Sequence, residues 1–133
     1  MSGDRVLDAS ALVLALVGKT EAAGRLRERL PSMRRHAPHL IDAEVGSVLR
    51  RHERSGRISA HEARVALRVG HALIEHRYAH AGPLAELAWR WRENLSYYDA
   101  LYVALAASLG APLITADARL CRAPGIACES ELV

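Results

Sequence analysis

Short runs of apolar residues alternate along this chain with longer stretches in which apolar side chains return every three or four positions. Arg5-Val6-Leu7 reads as a short buried strand, and Asp8-Ala9-Ser10 as a turn into a helical run over 11–17. A second helix is predicted over 21–30, stopped by Pro31, which cannot donate a backbone hydrogen bond. Residues 37–40 form a short strand or a loop entering the next helix. From 41 to 55, Ile41, Val45, Val48 and Leu49 recur at helical spacing, with Gly56 as the stop. Ser59, followed three residues later by Glu62, has capping-box spacing and opens a helix over 60–76. Its face of Ala63, Ala66, Leu67, Gly70 and Ile74 suits close helix contact. Residues 78–80 are a candidate third strand. Pro83 starts a helix whose Leu84, Leu87, Ala88, Trp91 and Leu95 share one face, which puts Trp91 in the core and Trp89 off that face. Residues 98–109 are apolar nearly all round, the mark of a buried helix, closed by Gly110. Residues 112–115 then read as a buried strand, 118–121 as a helical turn and 126–128 as an edge strand.

Strands alternating with helices indicate an α/β fold with a mainly parallel sheet. The length of 133 residues, half of them hydrophobic, suits one compact domain over 1–133, with no internal repeat. There is no Phe, so the core must rest on Leu, Val, Ile and Ala. The net charge of +3 admits nucleic acid as a partner, and because Lys19 is the single lysine, the cationic charge is almost all guanidinium, which grips phosphate bidentately. Cys121 and Cys128 belong to no disulfide framework and no metal-ligand spacing, which fits a reducing cytoplasm. The apolar run 6–17 is interrupted by Asp8 and is too short to span a bilayer, so neither a signal peptide nor a membrane anchor is expected.

Four carboxylates break the apolar pattern: Asp8, Glu44, Asp99 and Asp117. An ionised carboxylate withdrawn from water costs several kcal/mol or more unless it is paired or bound to metal. A divalent cation accounts for all four together, and oxygen ligands favour a hard ion such as Mg²⁺. Asp8 and Asp117 directly follow candidate strands, the end at which α/β sheets build their sites. Glu44 falls inside the apolar stripe of its helix, whereas Asp42, turned from it by about 200°, is a cap or surface residue. Read singly, Asp8 and Asp117 also serve as helix caps, and Ser96 to Asp99 has capping-box spacing. Arg50, Arg51, Arg54 and Arg57 either track RNA phosphates or form a solvated helix face, and Arg90 and Arg92 beside Trp89 offer a second basic cluster.

The set of four acids, in this order and context, resembles that of PIN-domain ribonucleases, and more narrowly of the VapC toxins of bacterial toxin–antitoxin pairs. Val6-Leu7-Asp8-Ala9-Ser10-Ala11-Leu12 resembles the opening strand and first acid of that family, and Asp42-Ala43-Glu44-Val45 its second-acid helix. The stretch from Tyr98-Asp99-Ala100 to Ala106 carries the third acid, and Leu113-Ile114-Thr115-Ala116-Asp117 the fourth. The resemblance implies a three-layer α/β/α sandwich around a mainly parallel sheet. It implies an endoribonuclease dependent on Mg²⁺ or Mn²⁺ that leaves a 5′-phosphate, a cognate antitoxin and a homodimer. In that reading Asp8, Asp99 and Asp117 hold metal, Glu44 ligates or orients water, and Ser10 and Thr115 supply assisting hydroxyls.

Three other readings stand beside this one. A PIN ribonuclease in RNA processing need not be a toxin. A metal-independent ribonuclease would draw its acid and base from the seven histidines, which all lie between His36 and His80, away from the acids. A noncatalytic RNA- or protein-binding module would bind without turnover.

Overall fold

The computed structural model describes residues 3–133. Its order is β1 (Asp4–Leu7), α1 (Ala9–Val17), α2 (Glu21–Arg29), β2 (Arg34–Pro38), α3 (Leu40–Arg54), α4 (Ala60–Leu73), β3 (His76–Tyr78), α5 (Pro83–Ala88), α6 (Tyr97–Leu109), β4 (Leu113–Thr115), α7 (Ala118–Cys121) and β5 (Ser130–Leu132). The five strands form one sheet in the order β3-β2-β1-β4-β5, and every pairing is parallel. Helices α1 to α4 pack on one another, while α6 lies across β1, β2 and β4 and carries α5. A parallel sheet covered in this way buries its central strands. Val6, Leu7, Leu113 and Ile114 of β1 and β4 are accordingly fully buried.

From β1 the chain moves outward through β2 to β3, then returns to place β4 on the other side of β1. This is the topological switch point of an α/β sheet, where a crevice opens beyond the strands' carboxyl ends. The register pairs Val6 with Leu113 and Leu7 with Ile114, so the next residues, Asp8 and Thr115, emerge together into that crevice.

Helix α6 is buried along its middle from Ala100 to Ala106, as its unbroken apolar sequence predicts, and Gly110 closes it at φ +62°. There the left-handed backbone favours glycine. The capping box of Ser59 and Glu62 forms at the start of α4.

Several boundaries differ from the sequence reading. Helix α4 ends at Leu73 because Ile74, which is buried, turns to extended backbone and leads into β3, so the third strand lies at His76–Tyr78 and not at 78–80. The chain after Pro83 is α5 followed by a 3-10 turn at Trp89–Trp91, with Trp91 half-buried against the core. β2 already begins at Arg34. The edge strand is Ser130–Leu132, because the 124–125 segment is drawn off the sheet: Trp91 Nε1 donates to Gly125 O at 2.9 Å and Asn94 Nδ2 to Pro124 O at 3.2 Å. Pairing with β4 resumes at Leu113 N to Glu129 O.

Candidate active site

Asp8 is the N-cap of α1 and is only 5% exposed. Its Oδ1 accepts from the Ala11 amide at 2.9 Å and from the Ser10 hydroxyl at 2.6 Å, and its Oδ2 accepts from the Thr115 hydroxyl. Each hydroxyl also accepts a backbone amide, Ser10 from Ala116 at 2.9 Å and Thr115 from Asp117 at 3.0 Å. Both hydroxyl protons are therefore aimed at Asp8, and the same two residues tie the β4–α7 connection to α1. Burial pushes the Asp8 pKa up, these hydrogen bonds oppose it, and the charge of Asp99 adds to the rise.

Glu44 projects from α3, half-buried, and its Oε1 accepts from the Tyr102 hydroxyl at 2.6 Å. Burial raises its pKa, the Tyr102 hydrogen bond lowers it, and Asp99 and Asp8 raise it further. Asp99 sits in the first turn of α6, behind its N-cap Ser96. Burial raises the Asp99 pKa, and Asp117 adds like-charge repulsion. Asp117 caps α7. Burial pushes its pKa up, but hydrogen bonds from the Arg119 side chain and backbone outweigh this and hold the carboxyl below its usual range.

All four carboxylates line one cleft of about 990 Å³ at the carboxyl ends of β1 and β4. They sense one another's charge, yet among the described residues no three His, Cys, Asp or Glu side chains are gathered into a tight metal cage. The donor set is nonetheless suited to a hard cation. An ionised carboxylate offers about four lone-pair sites, and the Asp8 oxygens receive three donors. One acceptor direction remains on an almost fully buried anion beside three further carboxylates.

Asp42, predicted to lie off the site, is exposed and pairs with Arg77 at 2.7 Å. Of the arginines singled out in the sequence, Arg51 and Arg57 line the cleft, while Arg50 and Arg54 lie exposed outside its wall. The cleft lining includes one histidine, His52, whereas a metal-independent acid–base pair needs two. His36 is occupied elsewhere, between Asp4 and Tyr78. Two site residues were not singled out from the sequence. Tyr102 carries a signal, since it lies three residues after Asp99, on the same helix face, as a phenol in an aliphatic helix. Arg119 carries only its nearness to Asp117.

Fold and cleft together define an α/β protein with four carboxylates in a cleft at the switch point of its sheet. The PIN domain model matches residues 5–126, and the chain belongs to the PIN-domain family. It is 51% identical over 128 residues to Ribonuclease VapC1 of Mycobacterium tuberculosis, covering 96% of each chain. Among solved structures it resembles PAE2754 from Pyrobaculum aerophilum, with TM-score 0.72, 24% identity and coverage of 96% of this chain and 83% of that one. It also resembles VapBC2 from Rickettsia felis, solved bound to a DNA fragment from their promoter, with TM-score 0.70, 14% identity and coverage of 98% of each chain. Among the described residues no helix is long and apolar enough to cross a membrane.

Proposed function

We propose that this chain is an endoribonuclease of the VapC type, the toxin of a toxin–antitoxin pair, and that Asp8, Glu44, Asp99 and Asp117 are its active-site acids. The observation that carries the reading is the convergence of these four carboxylates on one cleft, three of them with pKa values pushed up by burial and by one another. The 51% identity with Ribonuclease VapC1 over nearly the whole chain supports the same activity.

Asp8, Asp99 and Asp117 are the proposed ligands of Mg²⁺, with Mn²⁺ as an alternative. When bound, such an ion supplies an acidified water and positive charge at the phosphate. The hydroxyls of Ser10 and Thr115 oppose the rise in the Asp8 pKa that burial causes and orient its free lone pair. Tyr102 holds Glu44 through Oε1, leaving Oε2 to orient water and take its proton. Arg51 and Arg119, both on the cleft wall, are placed to meet phosphate oxygens on the substrate.

An antitoxin partner is part of the proposal. Its support is the likeness to VapC1 and a second groove of about 700 Å³ between α1 and α4, where Val65 and Val69 are exposed. Homodimerisation and a cytoplasmic location are carried over from the family resemblance; sedimentation of the purified chain tests the first.

The decisive experiment incubates end-labelled single-stranded and hairpin RNAs with the purified chain in Mg²⁺ or chelator, beside Asp99→Asn. The expected result is cleavage leaving 5′-phosphates, abolished by chelator and by the substitution. Chelator-resistant cyclic-phosphate products, or binding without turnover, would overturn it.

A further inference from the structure

The chain contains two tryptophans, four tyrosines and no Phe. Half of these scarce rings are exposed: Trp89 is 56% exposed, Tyr97 36% and Tyr98 59%. Trp89 meets Tyr97 edge to face with ring centroids 6.1 Å apart, and the Arg92 guanidinium lies over the Trp89 ring at 5.2 Å. Tyr97 and Tyr98 are consecutive in the first turn of α6, and Tyr98 itself lines the cleft immediately before Asp99. Successive helix residues point about 100° apart, so Tyr98 lines the cleft while Tyr97 meets Trp89, and the two join cleft and Trp89 across the start of α6. Arg90 and Arg92 are exposed beside the Trp89 ring, with one acid, Glu93, 3.9 Å from Arg92.

Exposed rings, one of them under a guanidinium group and one lining the carboxylate cleft, have the chemistry of a single-stranded nucleic-acid platform. Bases stack on aromatic faces without regard to sequence, while the cations track the backbone. A second copy of the chain, or another protein, would bury the same rings. The excess of Arg90 and Arg92 over Glu93 and the place of Tyr98 in the cleft favour RNA, since these guanidinium groups would have to be desolvated against a protein face but are neutralised by phosphates.

We propose that Trp89, Tyr97 and Tyr98, with Arg92, form a base-stacking platform that holds unpaired nucleotides of the RNA beside the scissile phosphate. The proposal rests on the ribonuclease reading above and adds to it the residues that hold the bases beside the cleft. Trp89 is a positioning residue. It makes no contact with the acids, so its loss is expected to raise KM and leave kcat in place.

The test measures binding in chelator, which stops cleavage, by fluorescence anisotropy. It compares a short unstructured RNA with an abasic ribose-phosphate chain of the same length. Wild type is set against Trp89→Ala, Trp89→Leu and Trp89→Phe. A stacking platform predicts that Ala and Leu weaken the base-bearing RNA by about tenfold, that Phe restores most of it, and that affinity for the abasic chain is unchanged in all three. Equal affinity of wild type and Trp89→Ala for the base-bearing RNA would overturn the proposal. So would equal losses on the two ligands, or restoration by Leu together with a change of sedimentation coefficient in Trp89→Ala, which marks a protein interface. The ribonuclease reading fails separately: if the wild-type chain cuts RNA with metal while Trp89→Ala keeps its KM, only the platform is lost.

Discussion

Two polar clusters interrupt the apolar interior, and they are balanced differently. On the β1–β2–β3 side, His36 is buried between Asp4, at 2.8 Å from Nε2, and the Tyr78 hydroxyl, at 2.8 Å from Nδ1, and it stacks on His76. Asp4 also pairs with Arg34 at 2.8 Å. Each anion there has a cation or a donor facing it. At the carboxyl ends of β1 and β4 the pairing differs: four carboxylates share one cleft with Lys19, Arg51, Arg57 and Arg119, yet of the four only Asp117 is ion-paired, with Arg119 at 3.4 Å. A cluster whose charges are met internally holds a fold together, whereas one left with unpaired charge is poised for a ligand of opposite sign. The contrast separates structure from function among groups that look alike in sequence.

The largest expected effect tests the unpaired charge directly. Asp99→Asn removes one carboxylate from the cleft and is expected to lower the RNA cleavage rate by roughly a hundredfold or more, beyond the loss caused by disturbing an outer partner of a metal site. Without metal, the same substitution is expected to stabilise the fold at neutral pH. The sign follows from the raised pKa of Asp99: destabilisation by its charge is fully present above the folded value and disappears below the unfolded one. The stability gap between variant and wild type should therefore close as the pH is lowered through that window, which thermal melts in chelator will read. Added Mg²⁺ should raise wild-type stability by about 2.7 kcal/mol at a hundred times Kd, and Asp99→Asn should lose most of that gain. If Asp99→Asn destabilises the metal-free protein at neutral pH, the two clusters do not differ as argued.

The internally balanced cluster should behave in the opposite way. His36→Ala leaves the Tyr78 hydroxyl without its ring partner and removes a stacked ring, with an expected loss of about 2 kcal/mol of stability. The Mg²⁺-induced stabilisation and the cleavage rate of the folded fraction should be unchanged. Denaturant melts with and without Mg²⁺ check both halves, and a loss of metal response in His36→Ala would break the comparison.

Tyr102→Phe is a smaller perturbation. It removes one hydroxyl from Glu44 while keeping the buried ring, and an expected tenfold or so loss in cleavage, with little change in melting temperature, would mark Tyr102 as positioning Glu44. An unchanged rate would show that Glu44 needs no orientation from α6.

The difference between the clusters was only partly legible in the sequence. Period and punctuation revealed the parallel α/β plan, because buried strands such as 112–115 and the helix at 98–109 leave no alternative way to hide their apolar surface. The four acids stood out because charge in such runs needs an explanation. What the sequence did not show depends on contacts between distant segments. β3 lies at His76 because that residue meets His36 across the sheet, and β5 lies beyond 126–128 because Trp91 and Asn94 hold the preceding loop. Tyr102 stood three residues after Asp99 as a phenol in an aliphatic helix, but its partner Glu44 lies 58 residues away in sequence.

The smallest expected effect separates two adjacent arginines. Arg50 and Arg51 are successive residues of α3 with the same charge, and helix geometry turns them about 100° apart. Arg51 donates to Ser47 at 3.2 Å and lines the cleft, while Arg50 faces away from it. Each neutralisation, Arg51→Gln or Arg50→Gln, changes the net charge equally, so any long-range electrostatic effect on RNA binding is shared. A direct phosphate contact is not. Arg51→Gln should reduce the slope of log affinity against log salt by about 0.7, the value for one phosphate on a single strand, whereas Arg50→Gln should leave it unchanged. Equal slopes in the two variants would mean that the basic side of α3 acts only as a diffuse field, and that the phosphates are met elsewhere along the cleft, where Arg119 stands.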